Sequence, residues 1–247
     1  MTNQVVLVPR TKVFPVAMIL DSKVLEAYKE AIKSYDECGS SLDIFQDKNR
    51  VLAGSNCFAP IILRDLLPRS SRLATMTDLG LATELNPNFL KGFYSDTGLI
   101  LRTEGDSHEP NDFLAKDLAK QLKERGITLE HPKVIYFDAL NLKKNKKSTY
   151  GLSYKLSESA ELGRNIIDAP ELMQDFRFKT INDSGIPLRD DSKSRQFYAK
   201  KDGLSGFCLY CDSDLVSYVG GLAVSYDVGR VVVIDAEGVV PNFSETK

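Results

Sequence analysis

Two carboxylates that follow apolar β-branched runs carry the sharpest chemical suggestion in this sequence. Asp138 follows Val134-Ile-Tyr-Phe137, and Asp235 follows Val231-Val-Val-Ile234, with Glu237 two residues further on. The ends of strands carry function in open α/β sheets, because the loops there form the crevice. Carboxylates brought together hold a hard divalent cation such as Mg²⁺ or Mn²⁺, which prefers oxygen ligands and activates water for hydrolysis. Asp138 and Asp235 are therefore the expected metal ligands, and Asp138, Asp235 and Glu237 the expected catalytic acids. The scheme requires the two strands to be neighbours. On the plainer reading each Asp only opens a turn.

Asn141 places an amide three residues after Asp138. The stretch Tyr136-Phe-Asp138-Ala-Leu-Asn141 resembles the strand-Asp-x-x-Asn arrangement of small metal-dependent nucleases of the PIN and NYN type. In those families the Asp holds a divalent metal, and the motif opens the domain; here it lies at mid-chain. The resemblance implies a phosphodiester or nucleotide substrate. Asn141, Arg102 and Lys143 are the expected substrate-binding residues, the two cations neutralising phosphate charge.

A second polar cluster, Glu104, Asp106, His108 and Asp112, is the other candidate for a cation, in a loop that leads into a helix. Its spacing matches no EF-hand loop, and acids there also suit the first helical turn. Cys208-Leu-Tyr-Cys211 has C-x₂-C spacing. A strand would send the two thiols to opposite faces, and Cys38 and Cys57 form no second knuckle, which argues against zinc. The run Lys143-Lys144-Asn145-Lys146-Lys147 could touch phosphate while Tyr150 or Tyr154 stacks on a base; such a run more often solvates a turn. There is no P-loop, G-x-G-x-x-G, G-x-S-x-G or H-E-x-x-H. With two histidines, His108 and His131, nucleophilic mechanisms have few bases.

The 247 residues are 43% hydrophobic and 27% charged, enough for a core without disulfide staples. The net charge of −2 gives no surplus to neutralise phosphates, which weighs against nucleic acid as the main partner. Charges and prolines interrupt the apolar N-terminal stretch, so it does not read as a signal peptide, and no run spans a bilayer. The expected setting is cytoplasmic and reduced, without a membrane partner.

The elements that must position these groups are legible in part. Val24, Leu25, Tyr28, Ile32 and Tyr35 recur at helical steps, predicting a helix over 22–37 capped by Asp21 or Ser22 and stopped at Gly39. Leu114, Leu118 and Leu122 predict another over 112–125, with Asn111 as its cap and Gly126 as its stop. The segment 58–67 reads as a short buried helix. Segments 72–76, 93–103 and 134–137 read as strands, and 222–226 with 230–234 as a hairpin around Asp227–Gly229. The class is α+β: a mixed sheet with two to three helices in the first half, then a hairpin-rich β half. A change in character near 148 suggests units 1–147 and 148–247, or one continuous domain over 1–247. Two functions follow. One is a divalent-metal hydrolase built on carboxylates. The other is a non-catalytic protein-binding or assembly module using the aromatic-rich β half.

Overall fold

A computed structural model describes residues 5–7, 16–217 and 220–235. Among these, strands of four residues or fewer are common, and the longest helix, Glu109–Glu124, faces a broad sheet. The class is α+β, and the helices fall in the first half of the chain. No helix among the described residues is long and apolar enough to cross a membrane.

The larger sheet has eight strands. Their order is Ile166–Asp168, Lys133–Tyr136, Ser95–Leu101, Leu204–Leu209, Leu215–Ser217, Gln196–Ala199, Phe176–Ile181 and Pro187–Arg189. Neighbours run antiparallel except Gln196–Ala199 beside Leu215–Ser217, which is parallel. A four-stranded sheet takes Val5–Leu7, Val16–Ile19, Val232–Asp235 and Ser71–Leu73, all antiparallel. Two hairpins complete the β structure, Gln46–Lys48 with Val51–Ala53 and Leu140–Lys144 with Leu152–Leu156. Residue 148 lies in the turn of the second hairpin, and strands from both sides of it share the large sheet.

The apolar run Leu99-Ile-Leu101 is continuous because both faces of its strand are covered. Leu99 and Leu101 belong to the apolar cluster that also takes the inner stripe of the long helix, and Ile100 belongs to the second cluster with Phe178, Phe197 and Phe207. Leu114, Leu118 and Leu122 are fully buried on the inner stripe of the long helix. Burying such a side chain is worth roughly 1.5–3 kcal/mol, against tenths for intrinsic helix propensity, so packing decides this helix.

That helix begins at Glu109, earlier than the spacing predicts, with Pro110 in its first turn and His108 as N-cap. Asn111, the expected cap, is buried and donates instead to the carbonyls of Leu204 and Gly220. Gly126 ends it at φ +74°. The helix expected over 22–37 is split into a 3₁₀ turn Ser22–Val24, an α-helix Leu25–Ile32 and a 3₁₀ segment Lys33–Cys38; Gly39 opens the next helix, Gly39–Leu42. The predicted buried helix appears as Ala59–Leu66.

Two expectations are corrected. The strand expected over 72–76 stops at Leu73, and Met76–Leu85 is a helix. Thr75 and Asp78 form its capping box, and it is buried on several faces, so it shows no helical stripe. The C-terminal hairpin does not form either. Residues 222–226 are turn and coil, while Val232–Asp235 inserts between Val16–Ile19 and Ser71–Leu73. Four apolar residues in a row suit a central strand better than a two-stranded ribbon.

Candidate functional site

The two carboxylates expected to converge belong to different sheets. Asp138 lies in a 3₁₀ turn after the strand Lys133–Tyr136 of the large sheet; Asp235 ends a strand of the small one. Asp138 lines a polar hollow of about 290 Å³ with Thr75, Thr77, Arg164 and Asp183. Asp235 pairs with Ser71, four residues back along the chain from Thr75, a span of roughly 13 Å in extended chain. The premise that their strands are neighbours therefore fails. Partial burial pushes the Asp138 carboxyl above its usual range, against the pull of Arg64 and Arg72. Glu237 lies outside the described residues.

The supporting residues have structural partners. The Asn141 amide oxygen accepts from Arg64 Nη2 at 3.1 Å, while Arg64 Nη1 donates to the carbonyls of Phe137 and Leu140, so this guanidinium clamps the turn that carries Asp138. Arg102, 3% exposed, cannot meet a phosphate. It donates to Leu172 O, Ser205 Oγ and Ser217 Oγ, and burial lowers it to about 10. Lys143 lies 3.7 Å from Asp117 on the surface.

The acidic loop is folded onto itself. Asp106 accepts from the backbone amides of His108 and Leu204 and from Lys200 Nζ. Asp112 accepts from the Asp106 amide and from Lys116. Glu104 is exposed and His108 half-buried. Among the described residues no three His, Cys, Asp or Glu side chains are grouped to hold a metal ion. The tyrosines expected to stack on bases face inward. Tyr154 is fully buried, stacked on Phe58 at 5.1 Å, and Tyr150 donates to Asn111 Oδ1.

A different carboxylate sits where chemistry is concentrated. Asp96, near the start of the strand Ser95–Leu101, is the Cα partner of Cys208 beside a register shift in Leu204–Leu209. Irregularities of this kind re-aim side chains. The loop between Val51–Ala53 and Ala59–Leu66 crosses above. There Asn56 Oδ1 accepts from the amides of Phe58 and Ala59 at the start of the helix, while its Nδ2 donates to Ser41 O and Ala223 O. This anchoring sets Ser55, whose hydroxyl donates to Asp96 Oδ2 at 2.6 Å. Tyr94 Oη donates to Ser55 O and accepts from the Tyr226 amide.

Asp96 and Tyr94 line a hollow of about 60 Å³ together with Cys57, Cys208, Tyr210 and Tyr226. Tyr94 lies 6.3 Å from the Tyr210 ring and 6.4 Å from that of Tyr226. Tyr226 and Tyr210 are 63% and 45% exposed, so they stand at the mouth. Gly206 keeps the interior open, since a Cβ there would come within 2.8 Å of Cys57 Sγ. Asp96 keeps some accessible surface, and it faces this hollow.

Burial raises the Asp96 carboxyl to about 6, held down only by the Ser55 hydroxyl and its own amide. No cationic side chain among the described residues pairs with it. Its charged form is met by these hydrogen bonds alone, without an opposite charge, in largely apolar surroundings. Burial also pushes the Cys57 and Cys208 thiols well up, so neither is a thiolate nucleophile. The hollow thus offers one carboxylate, aromatic faces and neutral thiols, with no nucleophile–base pair. Sequence reasoning passed over Asp96; its one signal is a lone charged residue in a strand that is otherwise uncharged. Comparison of the chain with protein-family models, with curated proteins and with solved structures found no match.

Proposed function

We propose that this chain is a non-catalytic binding module whose recognition site is the Asp96 hollow, and that the group recognised is an organic ammonium. The observation that carries this reading is a half-buried carboxylate without a cationic partner among the described residues, set among tyrosine rings that open to solvent. A cation placed there gains the charge partner the protein withholds, and the ring faces attract it further. Tyr210 and Tyr226 come from the aromatic-rich second half, in keeping with that half supplying the interaction face. The divalent-metal hydrolase reading has less support, because Asp138 and Asp235 sit on separate sheets and a hard cation would find a single carboxylate in the hollow.

The test is calorimetric titration of the full chain with methylammonium and tetramethylammonium chloride, beside sodium chloride as the ionic-strength control. Saturable binding of at least one ammonium, abolished in Asp96→Asn, is the expected result. Failure of both salts to bind, or equal binding by Asp96→Asn, overturns the reading.

A further inference from the structure

Building on the ammonium reading above, we infer that the group the hollow selects is an N-methylated ammonium on an alkyl chain whose body stays outside the protein. Three observations carry this, and the first is the shortage of acceptors. A primary ammonium brings three N–H donors into the hollow. The Asp96 carboxylate has its Oδ2 on Ser55. Tyr94 Oη already gives and receives a hydrogen bond. The carbonyls of the lining residues Leu222, Gly221 and Val216 accept from Cys57 N, Val224 N and Cys208 Sγ. A primary ammonium would have to place its three donors on Asp96 Oδ1 and on the second lone pairs of carbonyls already engaged, in a space lined mainly by rings, thiols and apolar side chains. Methyl groups replace those donors with surface that suits rings and thiols, while the charge still meets the carboxylate. A tertiary ammonium keeps one N–H for Asp96.

Size is the second observation. The hollow of about 60 Å³ is well below the ~150 Å³ of an apolar cavity that takes benzene, so it admits a head of a few heavy atoms and no whole metabolite. The third is the mouth. Val224, Tyr226 and Tyr210 are exposed beside it, an apolar rim for the chain that bears the head. Such a head occurs on free alkylamines and on methylated lysine side chains, and the chemistry recognised is the same.

Two matched pairs test the inference by titration: butylamine against N,N-dimethylbutylamine, and N-acetyl-lysine methylamide against its Nε,Nε-dimethyl form. Burying two methyl groups leads us to expect about tenfold tighter binding of the methylated member. The preference should vanish in Asp96→Asn. Tyr226→Ala should weaken the methylated member about threefold, the loss of one ring face; its side chain is exposed, so the fold is retained. The pair that binds more tightly identifies the source of the head. Equal or tighter binding of both primary amines overturns the inference and leaves the ammonium reading standing. No binding by any of the four removes that reading as well.

Discussion

Ser55 and Asp96 are joined by a hydroxyl-to-carboxylate hydrogen bond of 2.6 Å between a loop and a sheet strand 41 positions apart. The bond fixes one carboxylate oxygen and sets the carboxylate beside the hollow. It also explains why Asp96 rises to about 6 and no further, since a hydroxyl donor favours the charged form while burial opposes it.

The first prediction concerns stability and pH. The folded value of Asp96, about 6, exceeds its ordinary 3.8, so the native state holds this proton more tightly than the unfolded chain. The associated stabilisation is complete below pH 4 and is lost as pH rises through 6. Its size is roughly 3 kcal/mol, on the order of 6–12 °C in melting temperature for a chain of this length. Asp96→Asn, which cannot ionise, should melt near wild type at pH 4 and above it at pH 7.5. Melting curves across that range decide the matter; a gap that does not change with pH contradicts the assignment.

Gly206→Ala should close the hollow from inside, because its Cβ would come within 2.8 Å of Cys57 Sγ. Overpacking of this kind costs about 1–3 kcal/mol. Cys57→Ala removes the sulfur that is struck, so the double variant should recover most of the loss. A double-mutant cycle by chemical denaturation should return a coupling above about 1 kcal/mol; strict additivity would mean that the two residues do not compete for the same space.

Arg102 is structural in this fold. Arg102→Met should remove the partner of Ser205, Ser217 and Leu172 O and destabilise the protein by about 2–4 kcal/mol. Ammonium binding at saturating ligand should survive wherever the variant remains folded. Wild-type stability in urea would return Arg102 to the list of residues free to meet a ligand.

Divalent metals give the last prediction. Asp138, in the turn after a strand of the large sheet, and Asp235, at the end of a strand of the small one, are held by separate sheets, so millimolar Mg²⁺ or Mn²⁺ should shift the melting temperature by less than about 1 °C. A larger rise that disappears in Asp138→Asn would restore metal chemistry at the hollow beside Thr75 and Arg164.

The repetitive parts of the fold were legible in the sequence. The spacing of Leu114, Leu118 and Leu122 revealed the long helix, because a stripe facing one surface leaves a periodic trace. Met76–Leu85 left none, being packed on several sides, although Thr75 and Asp78 could have marked its start. The segment 222–234 misled because a turn between two apolar runs resembles a hairpin, while the true partners of Val232–Asp235 lie more than 150 residues away. For the same reason the site was hidden. Ser55, Asp96, Cys208 and Tyr226 come from four segments with no shared spacing; the pairing of Ser95–Leu101 with Leu204–Leu209 brings Asp96 to Cys208, and hydrogen bonds to Asp96 and Tyr94 bring in Ser55 and the Tyr226 backbone.

The placement of Val232–Asp235 between Val16–Ile19 and Ser71–Leu73 has a consequence for synthesis. As the chain leaves the ribosome, its early strands wait with facing edges unpaired, and both edges are sticky until the late strand slots in between. A stalled or clipped product lacking that strand would leave an open seam between the two early strands, a ready substrate for chaperones or for aggregation.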